Sequence, residues 1–189
     1  PFKKVTVRVL QDRTAGFNAL QAGEVDTATV DVKQATTLEG SGSGITVANV
    51  PATAVGNLVL ADRDGEVVPA LADPDVRKAI NMAFDREKFV SQFLGGNGLA
   101  TVQIFNPKGT GFVESLQDTY EYDPEGAKEL LADAGYPDGF SVTMPSSVIS
   151  QAFEPTIAQA LADIGITVEW EAVPPGNTVA AISSKKYGM

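Results

Sequence analysis

A chain of 189 residues with 43% hydrophobic content carries enough apolar material to bury a sizeable core, in one domain or in one domain and part of another. Lys+Arg number 14 against 24 Asp+Glu, and the net charge of −10 argues against a nucleic acid or an anionic membrane surface as partner. With no Cys and no His, the chain holds no disulfide, no thiolate or imidazole ligand, and no Ser-His-Asp, Cys-His or HExxH chemistry.

Residues 3–10 (KKVTVRVL) alternate Val5, Val7 and Val9 with Lys4, Thr6 and Arg8, which predicts a half-buried strand. A short helix follows, with Thr14 as its possible cap, Phe17 and Leu20 inward and Gly23 at its end. Residues 25–30 read as the next strand, so the first thirty residues predict a βαβ unit. A helix of modest pattern over residues 32–38 runs into GSGSG at 40–44. That glycine run is a flexible turn rather than a phosphate loop, because it lacks the Lys-Ser/Thr ending. Ile45, Val47 and Val50 predict a further strand stopped by Pro51, and a second apolar run occupies 58–60.

Asp73 and Pro74 suit the cap and first position of a helix whose apolar stripe is Val76, Ala79, Ile80, Ala83 and Phe84. Asp85 then caps a second helix carrying Phe89, Val90, Phe93 and Leu94, with Gly95 and Gly96 as left-handed stops. Residues 95–111 form a long loop containing Val102, Ile104 and Phe105. Asp123 and Pro124 repeat the cap-and-proline device before the stripe Ala127, Leu130, Leu131 and Ala134, which Gly135 closes. Phe140, Val142 and Met144 alternate as a strand, residues 153–164 space their apolar groups as a helix, and Ile166, Val168, Trp170 and Ala172 alternate again. Strand, helix, strand predicts parallel neighbours joined by a crossover. A last helix is expected over 178–185, capped by Asn177.

In an open α/β sheet, ligands collect where strand ends meet helix N-termini. Ser146, Ser147 and Ser150 occupy such a place, and the competing reading is that they only cap the following helix. Gln103, Phe105 and Asn106 form a second candidate set, an aromatic and two amides in a long loop. Phe105 has an equally good core reading. Asn57 is a third candidate, whereas Trp170 belongs to the core because it keeps step with Ile166 and Val168. The acid pairs Asp62/Asp64, Glu121/Asp123 and Glu169/Glu171 have solvated structural readings, and no DxDxDG calcium loop is present. No catalytic residue, metal ligand or cofactor is assigned.

The string DPDVRKAINMAFDREKFV at 73–90, followed by YEYDPEGAKELLADAGYPDGF at 120–140 and ADIGITV at 162–168, resembles the extracellular solute-binding proteins of family 5. These serve peptide, dipeptide and nickel ABC importers. The phrase LQAGEVD at 20–26 also has its counterpart there, and the likeness covers nearly the whole chain from Val5. The resemblance implies an α/β fold of the type II periplasmic-binding-protein kind, a mixed sheet flanked by helices. It further implies an internal fragment, with 1–54 part of the first lobe, 55–189 most of the second, and the crossover near 50–57.

Function by resemblance is capture of a solute, peptides first and nickel chelates or oligosaccharides after, for delivery to a membrane permease. The loop of Ser146, Ser147 and Ser150 is implied to line the cleft, without the basic residue often found there. Where the family commonly has Asn after the 58–60 run, this chain has Ala61 and Asp62. The resemblance also implies a monomer, periplasmic or extracellular, held at the membrane through the permease or a lipid anchor outside the fragment. A ligand-sensing domain of the same fold and a hydrolase are the competing readings.

Overall fold

The computed structural model describes residues 2–10, 12–48, 55–147, 150–174 and 176–189. The chain divides into two compact units, Pro1–Pro51 with Val90–Leu99, and Ala52–Phe89 with Ala100–Met189. In the first, α1 (Arg13–Gln21) and α2 (Val32–Gly40) are the regular elements. Asp12, not Thr14, caps α1: its carboxylate accepts the Thr14 N–H at 2.8 Å, so Thr14 supplies the donor. Helix α2 begins with a capping box that the sequence reading missed, in which Asp31 accepts the Gln34 N–H at 2.8 Å and Gln34 accepts the Asp31 N–H at 3.1 Å. Gly23 and Gly42 adopt positive φ after the two helices, as chain reversals there require.

The strands expected at 3–10, 25–30 and 45–50 are not formed among the described residues, and Val50 and Pro51 lie outside them. Alternation marks a segment able to pair, but a strand exists only through its ladder. No backbone–backbone hydrogen bond ties these segments to a neighbour among the described residues, and Val5, Val7 and Val9 stand 72%, 82% and 85% exposed. The expected βαβ unit is therefore not formed among the described residues.

The second unit follows its sequence pattern. After a 3-10 turn at Pro69–Ala72 come α3 (Pro74–Met82), α4 (Arg86–Leu94), which runs on into the first unit from Val90, α5 (Pro124–Asp133), β1 (Phe140–Ser146), α6 (Glu154–Ala162), β2 (Ile166–Ala172) and α7 (Thr178–Ser183). Asp73 accepts the Asp75 N–H and Asp123 the Gly126 N–H, each ahead of the proline that opens its helix. The α3 stripe of Val76, Ala79, Ile80 and Ala83 is buried, and α3 packs on α5 through a core that includes Ala127 and Leu131. Val142, Met144, Leu161, Ile164 and Ile166 complete it, and Trp170 packs against it half-buried, as the strand register requires.

The two strands are parallel, in register from Phe140 opposite Ile166 to Ser146 opposite Ala172. Helix α6 connects them and packs on β2. The bend between α3 and α4 is held by Arg86. Its guanidinium donates to the Asn81 carbonyl at 3.0 Å and side-chain oxygen at 3.2 Å, and to the Phe84 and Tyr120 carbonyls at 3.4 Å. Burial without a carboxylate partner lowers the pKa of that guanidinium, although it stays charged. Helix α7 ends at Ser183 rather than 185, since Lys185 turns left-handed with φ of 55°. Asn177 sits at its N-cap but makes no side-chain capping bond.

Candidate functional site

At the carboxyl end of β1 the chain makes a tight serine turn. Ser147 is buried; its N–H donates to Ser150 Oγ at 2.9 Å, and its carbonyl accepts from the backbone of Ser150 and Gln151 at 3.0 Å. Ser150 Oγ also lies 2.8 Å from Glu154 Oε1 and 3.1 Å from the Ser147 carbonyl. The Ser150 carbonyl receives the Phe153 and Glu154 N–H groups, which starts α6. The three serines are thus brought together, with Ser146 joined to Val173 through its carbonyl, and they build the turn that leads to α6. Glu154, in the first turn of α6 and half-buried, was missed by the sequence reading; its i, i+4 spacing from Ser150 is not that of a capping box. Val148 and Ile149 of this loop lie outside the described residues.

The loop candidates behave differently from one another. Gln103 turns inward: its amide nitrogen donates to the Val113 carbonyl at 2.9 Å and to Gln117 Oε1 at 3.1 Å, while its oxygen accepts the Val113 N–H at 2.9 Å. Asn106 accepts the Lys108 N–H at 2.8 Å, a local turn. Phe105 is 52% exposed, so it is not a core residue, and its ring lies over Gly111. Asn57 is exposed on a segment without regular structure. None of the hydrogen bonds described for these residues joins the serine turn, the loop and Asn57 to one another.

Two cavities accompany these groups. One of about 240 Å³ in the second unit is lined by Val68, Ser141, Thr143, Glu171, Lys186 and Tyr187. The other, about 370 Å³ in the first unit, is lined by Leu20, residues 25–28 and residues 44–46. Neither contains a sequence-predicted site residue.

Of the paired acids, Asp62, Asp123 and Glu171 have described structural roles. Asp62 accepts the N–H groups of Glu66, Val67 and Val68 at 2.9, 2.8 and 2.6 Å, and these bonds, that of Val68 first, hold its pKa below the ordinary carboxylate value. The Ala61 and Asp62 N–H groups meanwhile donate to the Gly188 carbonyl. Glu171 pairs with Lys186, which lowers the carboxyl pKa and raises that of the ammonium. Asp123 caps α5. The arrangement offers hydrogen bonds and apolar contact, the means of holding a solute.

The family model for bacterial extracellular solute-binding proteins, family 5, middle region, matches residues 1–189. This chain belongs to that family. Among curated relatives, the glutathione-binding protein GsiB of Salmonella typhi is 34% identical over 116 residues, 60% of this chain and 22% of that protein. The chain therefore spans about a fifth of that relative's length over the match. Among solved structures, the periplasmic binding protein DppA of Helicobacter pylori, in complex with the peptide STSA, is 27% identical with a TM-score of 0.67, covering 89% of this chain and 32% of that one. The dipeptide-binding protein of Pseudoalteromonas sp. SM9913, in complex with Met-Leu, shares the fold at a TM-score of 0.75 and 22% identity, covering 95% of this chain and 36% of that one. The α/β, periplasmic-binding-protein-like class expected from the sequence is thereby shown. No helix among the described residues is long and apolar enough to cross a membrane.

Proposed function

We propose that this chain is an internal part of the substrate-binding component of an ABC importer, capturing peptides or related solutes and delivering them to a membrane permease. The observation that carries the reading is the family match over the full 189 residues. Residues 1–54 belong to one lobe and 55–189 to the other, with the crossover over 50–57, of which 50–54 lie outside the described residues. Solute binding shifts an open–closed equilibrium of the lobes, and no bond is made or broken. Ser146, Ser147 and Ser150 present hydroxyls and backbone groups at the end of β1, Phe105 and Asn106 contribute from the long loop, and Asn57 from the crossover. The protein works as a monomer outside the cytoplasm, held at the membrane by its permease or by a lipid anchor beyond this chain.

The test is calorimetric titration of the full-length protein that carries this chain with pools of di- to octapeptides, nickel chelates and oligosaccharides. Saturable binding to the peptide pool is expected. Silence across all pools would transfer the assignment to a sensor domain of the same fold, and turnover of any pool would make it an enzyme.

A further inference from the structure

The chain carries seven asparagines, and Asn97 alone is followed by glycine. Asn18 and Asn81 lie inside α1 and α3, where the helical ladder holds the next N–H, and the Asn81 amide is engaged by the Arg77 carbonyl and the Arg86 guanidinium. Asn106 precedes Pro107, which has no N–H. Asn57 and Asn177 precede the bulky side chains of Leu58 and Thr178, and Asn49, outside the described residues, precedes Val50.

Asn97 stands just past the end of α4 at Leu94. Gly95 and Gly96 carry the chain through left-handed φ of 55° and 80°, so no helix fixes the backbone that follows. The Asn97 N–H donates to the Leu94 carbonyl at 2.8 Å, which keeps this residue over the last turn of α4. Gly98 also lies against α4: a Cβ there would come within 2.7 Å of Leu94 Cδ1 and 3.4 Å of Val90 Cγ1. Packing thus favours glycine after Asn97, and the same lack of a side chain leaves the Gly98 nitrogen open to the asparagine amide.

We propose that Asn97 is a self-modifying site, at which the chain's own backbone and water convert the neutral amide to a carboxylate. The Gly98 nitrogen loses its proton and attacks Asn97 Cγ; the N–Cγ bond forms, the Cγ–Nδ2 bond breaks, and ammonia leaves with the proton. Water then opens the cyclic imide at either carbonyl, giving an aspartyl or an isoaspartyl residue at position 97. No electron is gained or lost, and water is the only co-reactant. The new negative charge falls beside the carbonyl end of the α4 dipole, where the last turn holds no basic residue to offset it. The isoaspartyl product also lengthens the backbone at the bond to Leu94. Conversion therefore loosens the end of α4.

The experiment is peptide mapping by mass spectrometry of the full-length protein after incubation in heavy-oxygen water at mildly alkaline pH. Position 97 is expected to convert about tenfold faster than any other asparagine, the effect of about 1.4 kcal/mol on a barrier, with heavy oxygen in both products. Gly98→Ala, whose methyl group shields the attacking nitrogen, is expected to slow conversion by about the same tenfold factor. Asn97→Gln leaves the Gly98 packing untouched and is expected to abolish the signal. An intact position 97 while other asparagines convert overturns the proposal, as does conversion that requires prior unfolding in urea or a rate that Gly98→Ala leaves unchanged. Hydrogen exchange tests the consequence: the amides of residues 96 and 97 are expected to exchange faster in Asn97→Asp than in Asn97→Gln. Equal rates would overturn the loosening of α4.

Discussion

Asp62 shows what one side chain can do: its carboxylate gathers three successive backbone N–H groups, of Glu66, Val67 and Val68, and fixes the 62–68 turn, while the Ala61 and Asp62 N–H groups bond the Gly188 carbonyl. Its folded-state pKa is depressed by those bonds. The sign follows: stability from Asp62 is present above the unfolded pKa of about 4 and is lost as pH falls through the lower folded value. Asp62→Ala should lower the melting midpoint at pH 7, and the gap from the natural protein should narrow as pH falls below about 4. Calorimetric scans of both proteins across pH check this, and a gap of constant size would show that the charge is not in use. None of this was legible in the sequence, which offered Asp62 and Asp64 beside Gly65 as a solvated turn. The bonds of Gln103 to Val113 were hidden for a related reason: an amide able to bond a solute is equally able to bond a peptide group, and a partner ten residues away leaves no local trace.

At the scale of elements, the pattern was reliable where the chain supplies both members of a pairing. Helices α3, α5 and α6 and strands β1 and β2 lie where spacing and caps place them, because each apolar face meets another within the second unit. In the first unit the alternating valines meet no described partner, so alternation alone made no strand. The entry to the sheet supplies a sharp test. Gly139 and Gly165 precede β1 and β2 with φ of 70° and 91°, and a Cβ on Gly139 would run into the Gly165 carbonyl. Gly139→Ala combines left-handed strain with a clash against backbone that cannot rotate away, and should cost about 2–5 kcal/mol in denaturant unfolding. A cost below about 0.5 kcal/mol, the range of a neutral surface change, would show that the two strand entries are not held together this closely.

The same reasoning separates α1 and α2 from the rest. Ala19 and Leu38 are the buried apolar residues described in the first unit, whereas the second buries a continuous cluster reaching from Val68 to Met189. Opening free energy follows buried contact. In the 189-residue chain, amides of α1 and α2 should therefore exchange markedly faster than those of α3, α5 and β1, as mass spectrometry or NMR would record. Equal protection would mean that the first unit is stabilised by something other than its own apolar burial.

For the whole molecule, the relevant quantity is the difference between this chain and the longer protein implied by relatives of which it spans 22%. A solute clasped by two lobes draws its affinity from both walls, and each wall alone must meet the full entropic cost of association with part of the contact. A ligand that binds only the native state stabilises it by about 2.7 kcal/mol at a concentration of 100 times its dissociation constant. Peptide at that concentration should raise the melting midpoint of the full-length protein accordingly and leave that of the 189-residue chain nearly unchanged. Submicromolar binding by the isolated chain would place the whole of the recognition surface within these residues. The serine turn at the end of β1 and the long loop would then have to hold the solute with no opposing lobe, and hinge closure would lose its role in capture.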